Sequence, residues 1–84
     1  MQTAVLRREF RYNLWGSNRW WAQWVIRTTV AIQPPQRTPP KTQDFSSKDD
    51  AVKWLKQEAR ANGVTNIPQT IDPTKVWLPL GTMP

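Results

Sequence analysis

The chain has 84 residues and a formal net charge of +6. A chain this short holds one modest core, so residues 1–84 are expected to form a single small domain. It contains neither cysteine nor histidine, which excludes disulfides, thiol nucleophiles, zinc sites of the usual kind and a Ser/His/Asp triad.

Other features of the sequence narrow the class of protein further. There is no apolar run long enough to span a membrane and no N-terminal signal peptide, so a soluble, intracellular protein is expected. Three glycines cannot supply a glycine-rich phosphate loop, and no nucleophile has a base at a suitable spacing. The sequence therefore predicts a protein that is not an enzyme and that binds neither a cofactor nor a metal.

Residues 3–32 are predicted to form a β-hairpin. Apolar and polar residues alternate from Thr3 to Leu14, and a second run from Trp20 to Ile32 is rich in β-branched and aromatic residues. Turn-forming residues, Gly16 to Asn18, lie between the two runs. A three-residue loop is favoured because a two-residue loop would place apolar residues of one strand beside polar residues of the other.

The predicted register pairs Leu14 with Trp20 on the core face of the hairpin. On the other face it pairs Asn13 with Trp21 and places Arg7 directly opposite Arg27. Like charges in this position destabilise a sheet unless an anion lies between them. This pairing therefore indicates an anionic partner on that face.

Residues 33–44 contain two proline pairs, Pro34–Pro35 and Pro39–Pro40. Proline has no backbone donor for a strand ladder, so this segment is expected to leave the sheet as an extended, partly polyproline connection. Its basic residues, Arg37 and Lys41, are expected to extend a cationic surface.

Residues 46–62 are predicted to form a helix, capped by Ser46 or Ser47 and ended by Asn62 and Gly63. An apolar stripe runs along it at Ala51, Val52, Leu55 and Ala59. Residues 63–84 are predicted to be a loop followed by a short strand at Lys75–Leu80, which Pro79 would confine to a sheet edge or end early.

The expected fold class is α+β, an antiparallel β-hairpin packed on one α-helix in the order β-β-α, with a short third strand. The even-numbered hairpin face is expected to cover the helix stripe, because a two-stranded hairpin is not stable alone. Its members are Phe10, Trp20, Trp24 and Ile26. Trp54 and Trp77 are expected in the core or at its edge.

The net positive charge of the protein comes entirely from the first half of the chain. Residues 1–43 contain seven cations, six of them arginine, and one carboxylate, whereas residues 44–84 contain five of each sign. Arginine is the better residue for bidentate recognition and stacking, so this asymmetry indicates a binding surface. The candidate partner-binding residues are Arg7, Arg11, Trp15, Arg19, Trp21, Arg27, Arg37 and Lys41.

Three functions fit this surface. The first is an accessory subunit that docks the Arg/Trp hairpin face onto an acidic surface of a larger protein assembly. The second is a nucleic-acid-binding protein, for DNA or RNA, in which arginines neutralise phosphates and Trp15 or Trp21 stacks on a base. The third is a small inhibitor of a protein partner. The number of tryptophans and the scarcity of lysine on the proposed face favour the first.

A homodimer is a further expectation. The strand predicted from Trp20 to Ile32 is long, and an unpaired edge on such a strand can pair with a second chain.

Overall fold

The protein is described here by a computed structural model that covers residues 4–84. It measures 50 × 22 × 16 Å and consists of a five-stranded antiparallel sheet with one helix on one side. The α+β prediction is confirmed, although two additional strands lie between the hairpin and the helix. The predicted start of the first strand at Thr3 lies outside the described residues.

Strands β1 (Val5–Gly16) and β2 (Trp20–Val30) form the predicted hairpin. Its loop has three residues, as expected, but they are residues 17–19, and Gly16 pairs with Trp20. Gly16 has a φ of 152°, and a Cβ there would lie 2.1 Å from the carbonyl oxygen of Arg19. Only glycine fits at this position, so the loop closes one residue later than the sequence suggested.

The shifted loop moves every pair of the hairpin by two positions. Leu14 pairs with Ala22 instead of Trp20, and Trp21 pairs with Trp15 instead of Asn13. The predicted pairing of Arg7 with Arg27 is wrong as well. A β-bulge at Leu6 then shifts the open end of the hairpin, where Val5 pairs with Val30.

The proline-rich segment stays in the sheet, contrary to expectation. Strands β3 (Gln36–Arg37) and β4 (Lys41–Phe45) lie between or after the proline pairs, and both pair with the outer edge of β2. Thr38 joins the same edge, since its hydroxyl accepts from the backbone N–H of Ile26 at 2.9 Å. The prolines therefore limit the length of each strand without preventing pairing.

Helix α1 (Lys48–Ala61) is close to its prediction. The Ser47 hydroxyl caps it by accepting from the backbone N–H of Asp50 at 3.2 Å, and the helix ends at Asn62 and Gly63. Ala51, Leu55 and Ala59 are fully buried against the even-numbered face of the hairpin. We call this side of the sheet the helix face.

Strand β5 (Thr74–Thr82) contains the predicted short strand and pairs antiparallel with β1 at the edge of the sheet. Gly81 lies opposite Phe10, and a Cβ at Gly81 would lie 2.4 Å from Val64. The missing side chain lets the loop after α1 pack directly on β5.

Both edges of the hairpin are thus occupied by the chain itself, β2 by β3 and β4, and β1 by β5. In residues 4–84, the unpaired hairpin edge on which the dimer prediction rested is not present. A homodimer stays an untested prediction. The helix found in residues 4–84, α1, is not long and apolar enough to cross a membrane.

Candidate functional site

The side of the sheet opposite α1 carries most of the candidate binding residues. On β1 and β2 it consists of the odd-numbered residues from Arg7 to Trp15 and from Trp21 to Thr29. No helix of the described chain covers it, and we call it the open face. The predicted division of the hairpin into two faces is correct, because the register shift of two residues preserves side-chain parity.

The arginines of the open face cluster around one carboxylate. Glu9 is only 4% exposed, accepts a hydrogen bond from Arg7 Nη2 and lies directly opposite Arg27. Arg37 on β3 lies opposite Arg27 on its other side. Glu9 therefore takes the place opposite Arg27 that was predicted for Arg7. The like-charge pair in the structure is Arg27 with Arg37, which the sequence did not predict.

Three polar atoms of the open face are buried and have no hydrogen-bond partner in the described structure. They are Arg11 Nε, Arg27 Nε and Asn13 Oδ1. The Arg11 Nη2 atom does donate to the backbone carbonyl of Trp77 at 3.2 Å. Buried polar groups are normally paired, so this face has hydrogen-bonding capacity that the chain itself does not use.

The tryptophans lie on both sides of the sheet. Trp20, Trp24 and Trp54 belong to or pack against the core on the helix face. Trp15 and Trp21 lie directly opposite each other on the open face, and Trp21 is 40% exposed. Trp77 was expected in the core or at its edge, but it is half buried outside the core cluster. It lies in the irregular stretch of β5 between the Leu14–Thr74 and Tyr12–Leu78 pairs, and its backbone carbonyl accepts from Arg11 Nη2.

A groove of about 330 Å³ crosses the open face beside the tryptophan pair. Asn13, Trp15, Gln23 and Lys75 line it. Asn13 and Gln23 are directly opposite each other on β1 and β2, so two amide groups meet at its floor. Lys75 reaches the groove from β5.

Two candidate residues differ from the others. Arg19 lies in the hairpin loop and donates through Nε to Asp44 Oδ2 at 2.8 Å, so its charge is compensated. Lys41 lies on the helix face, 5.6 Å from the centre of the Trp24 ring. The other six, Arg7, Arg11, Trp15, Trp21, Arg27 and Arg37, share the open face.

Three residues of the open face were not among the candidates: Asn13, Gln23 and Lys75. The alternation of β1 and β2 already placed Asn13 and Gln23 on this side, and that signal could have found them. Lys75 depends on the pairing of β5 with β1, in which partners such as Leu14 and Thr74 are 60 residues apart in the chain. Local patterns carry no information about such a contact.

In comparisons with known proteins, no family model, curated protein or solved structure matches this chain.

Proposed function

We propose that the protein binds single-stranded nucleic acid through its open face. The observation that carries this proposal is the joint presence of two tryptophans, Trp15 and Trp21, and five cations on the side of the sheet opposite α1. The cations are Arg7, Arg11, Arg27, Arg37 and Lys75, against the carboxylates Glu9 and Asp44. Sequence-tolerant binders of single strands combine cationic grooves with aromatic side chains on which bases stack.

The arrangement along the hairpin suits an extended ligand. The Trp15–Trp21 pair and the Glu9–Arg27 pair are six residues apart on β1, a separation of about 20 Å. A strand lying along the sheet could therefore stack a base at the tryptophan end and neutralise phosphates at the arginine end.

Two considerations that favoured a protein partner are weakened by the side-chain positions. Three of the six tryptophans belong to or pack against the core between the sheet and α1, so their number no longer exceeds what base stacking would use. The open face also gains a lysine, Lys75. Among the exposed large hydrophobic residues of residues 4–84, Trp21 lies on the open face, at its hairpin-loop end. The centre of a protein interface is normally more apolar.

A salt titration of binding to labelled oligonucleotides of about 16 nucleotides tests the proposal. The affinity for a single strand is expected to fall steeply with salt, and the slope of log K against log salt should decrease by about one unit in Arg37→Ala. Arg60→Ala is the matched control, because it removes the same charge from an exposed position on α1. Equal slopes for the two variants, or preferential binding of the duplex, would overturn the proposal.

Docking onto an acidic protein surface is the second candidate, and one observation favours it. Val5, Leu6 and Ile32 are 59%, 65% and 99% exposed at the open end of the hairpin, next to Arg7. An apolar end beside an arginine cluster is a combination found in protein interfaces. Binding of a polyglutamate peptide with no measurable binding of oligonucleotides would favour this candidate; an inhibitor of a protein partner would behave in the same way.

A further inference from the structure

The groove on the open face contains groups that the neutralisation of phosphates does not need. Its floor is formed by the Asn13 and Gln23 amides, and Trp15 and Lys75 also line it. Asn13 is 4% exposed, and its Oδ1 atom has no hydrogen-bond partner within the described chain. A buried carbonyl without a donor is costly, so a ligand that supplies one would gain from it.

The chemistry of the groove is that of a base-reading site. A carboxamide presents an acceptor and a donor side by side. Adenine presents the complementary pair, an amino group beside a ring nitrogen, on two of its edges, whereas cytosine presents it on one and thymine has no amino group. Single-stranded nucleic acids expose these base edges and stack the base on an aromatic side chain. Trp15 provides such a ring in the same groove as the two amides.

We propose that this groove selects adenine in a bound single strand. The inference rests on the proposed function, since it assigns a base preference to the same face. On binding, the Asn13 carboxamide turns so that its Oδ1 atom, buried in the free protein, accepts from the adenine amino group, and the ring of the base packs on Trp15. Gln23, which is half buried opposite Asn13, supplies the second amide.

Existing contacts leave the Gln23 amide available. Its Oε1 atom accepts from the Thr42 hydroxyl at 3.5 Å, the limit of a hydrogen bond. Lys75 is exposed and has a flexible stem, so it can turn toward a backbone phosphate as the base enters. Side-chain rotations of this kind are common when partners bind.

The test compares adenine and thymine homo-oligomers of equal length at one salt concentration. The quantity measured is the ratio of their dissociation constants, compared between protein variants, so that intrinsic differences between the oligomers cancel. Gln23→Leu and Asn13→Leu are expected to reduce the discrimination in favour of adenine by about fivefold or more. Gln43→Leu should not change it, because Gln43 pairs with Ala22 on the helix face and is exposed.

The outcomes separate this inference from the proposed function. If the wild-type protein binds neither oligomer, the proposed function fails. If it binds both and the ratio is the same in wild type, Gln23→Leu and Gln43→Leu, only the adenine site is overturned. Asn13 is buried, so thermal unfolding of Asn13→Leu should be measured first; Gln23→Leu keeps the test decisive if that variant does not fold.

Discussion

Glu9 lies directly opposite Arg27 across the hairpin and also accepts a hydrogen bond from Arg7, so one buried carboxylate contacts or faces two guanidinium groups. Glu9 thus forms an ion pair with Arg7, whereas Arg27 forms no ion pair within residues 4–84 and its buried Nε atom has no hydrogen-bond partner there. On the other side of Arg27 its neighbour is Arg37 on β3, so the positive charges of these two residues lie next to each other without a carboxylate between them.

Glu9→Gln should destabilise the protein by about 1–3 kcal/mol, because it removes the charge from the buried acceptor that pairs with Arg7 Nη2. Urea denaturation measures this loss. The same change removes a negative charge from the open face, so oligonucleotide affinity should rise. Asp49→Asn, an exposed carboxylate on α1, is the control; a Glu9→Gln variant as stable as this control would contradict the role assigned to Glu9.

Leu55→Ala should cost about 2–5 kcal/mol of unfolding free energy, since Leu55 is fully buried between α1 and the hairpin. Lys53→Ala, on the exposed side of the same helix, should change stability by less than about 0.5 kcal/mol. Chemical denaturation of the two variants provides the measurement. A small effect of Leu55→Ala would mean that α1 does not pack on the helix face as described.

Trp21→Ala should weaken single-strand binding by about tenfold, the effect of losing one stacked base, with little change in stability. The reason is that Trp21 is 40% exposed on the open face. Trp54→Ala is the reciprocal control, because Trp54 packs against the core with its ring 5.7 Å from that of Phe45. It should lower the melting temperature and leave the affinity of the folded protein unchanged. The reverse pattern would exclude stacking on Trp21.

The ionisation of Tyr12 makes the free energy of unfolding depend on pH in the alkaline range. Burial, and secondarily the Asp72 carboxylate, raises the pKa of its phenol above the ordinary value of 10.0. The folded state therefore holds the proton more tightly than the unfolded state, and this stabilisation is complete below about pH 10 and is lost as the pH rises through the folded pKa. The phenol also donates to the backbone carbonyl of Asp72 at 3.1 Å.

Denaturation of wild type and Tyr12→Phe across this pH range measures the contribution. The stability difference between the two proteins should fall as the pH rises above about 10. Tyr12 is the chain's single tyrosine, so its ionisation can be followed directly by ultraviolet absorbance. A constant difference would show that the phenol ionises equally in both states.

Local patterns were sufficient for the hairpin, the helix and the division of the hairpin into two faces. Ser47 and Asn62 mark the ends of α1 through short-range hydrogen bonds, which the sequence displays directly. The face of each hairpin residue follows from its parity, and parity survives a register error of two. For this reason six of the eight candidate residues share one face although every predicted pair was wrong.

The prediction that the proline-rich segment leaves the sheet was wrong, because a proline affects only its own hydrogen bonds whereas strand pairing involves the whole segment. Proline removes its own backbone donor, but Thr38 and the residues of β4 retain theirs and find acceptors on β2. The predicted second strand extended to Ile32, whereas β2 ends at Val30. Ile32 has a φ of 66°, which is unusual for a β-branched residue.

The sequence by itself determined the periodicities, the caps and the excess of arginine, because each depends on residues that are neighbours in the chain. The tertiary structure alone decided which charges face each other, which tryptophans remain uncovered, and that Lys75 joins Asn13 in one groove. These relationships depend on the closing position of one loop at Gly16 and on the pairing of β5 with β1. A shift of a single loop residue moves every cross-strand partner by two, whereas it changes no local propensity.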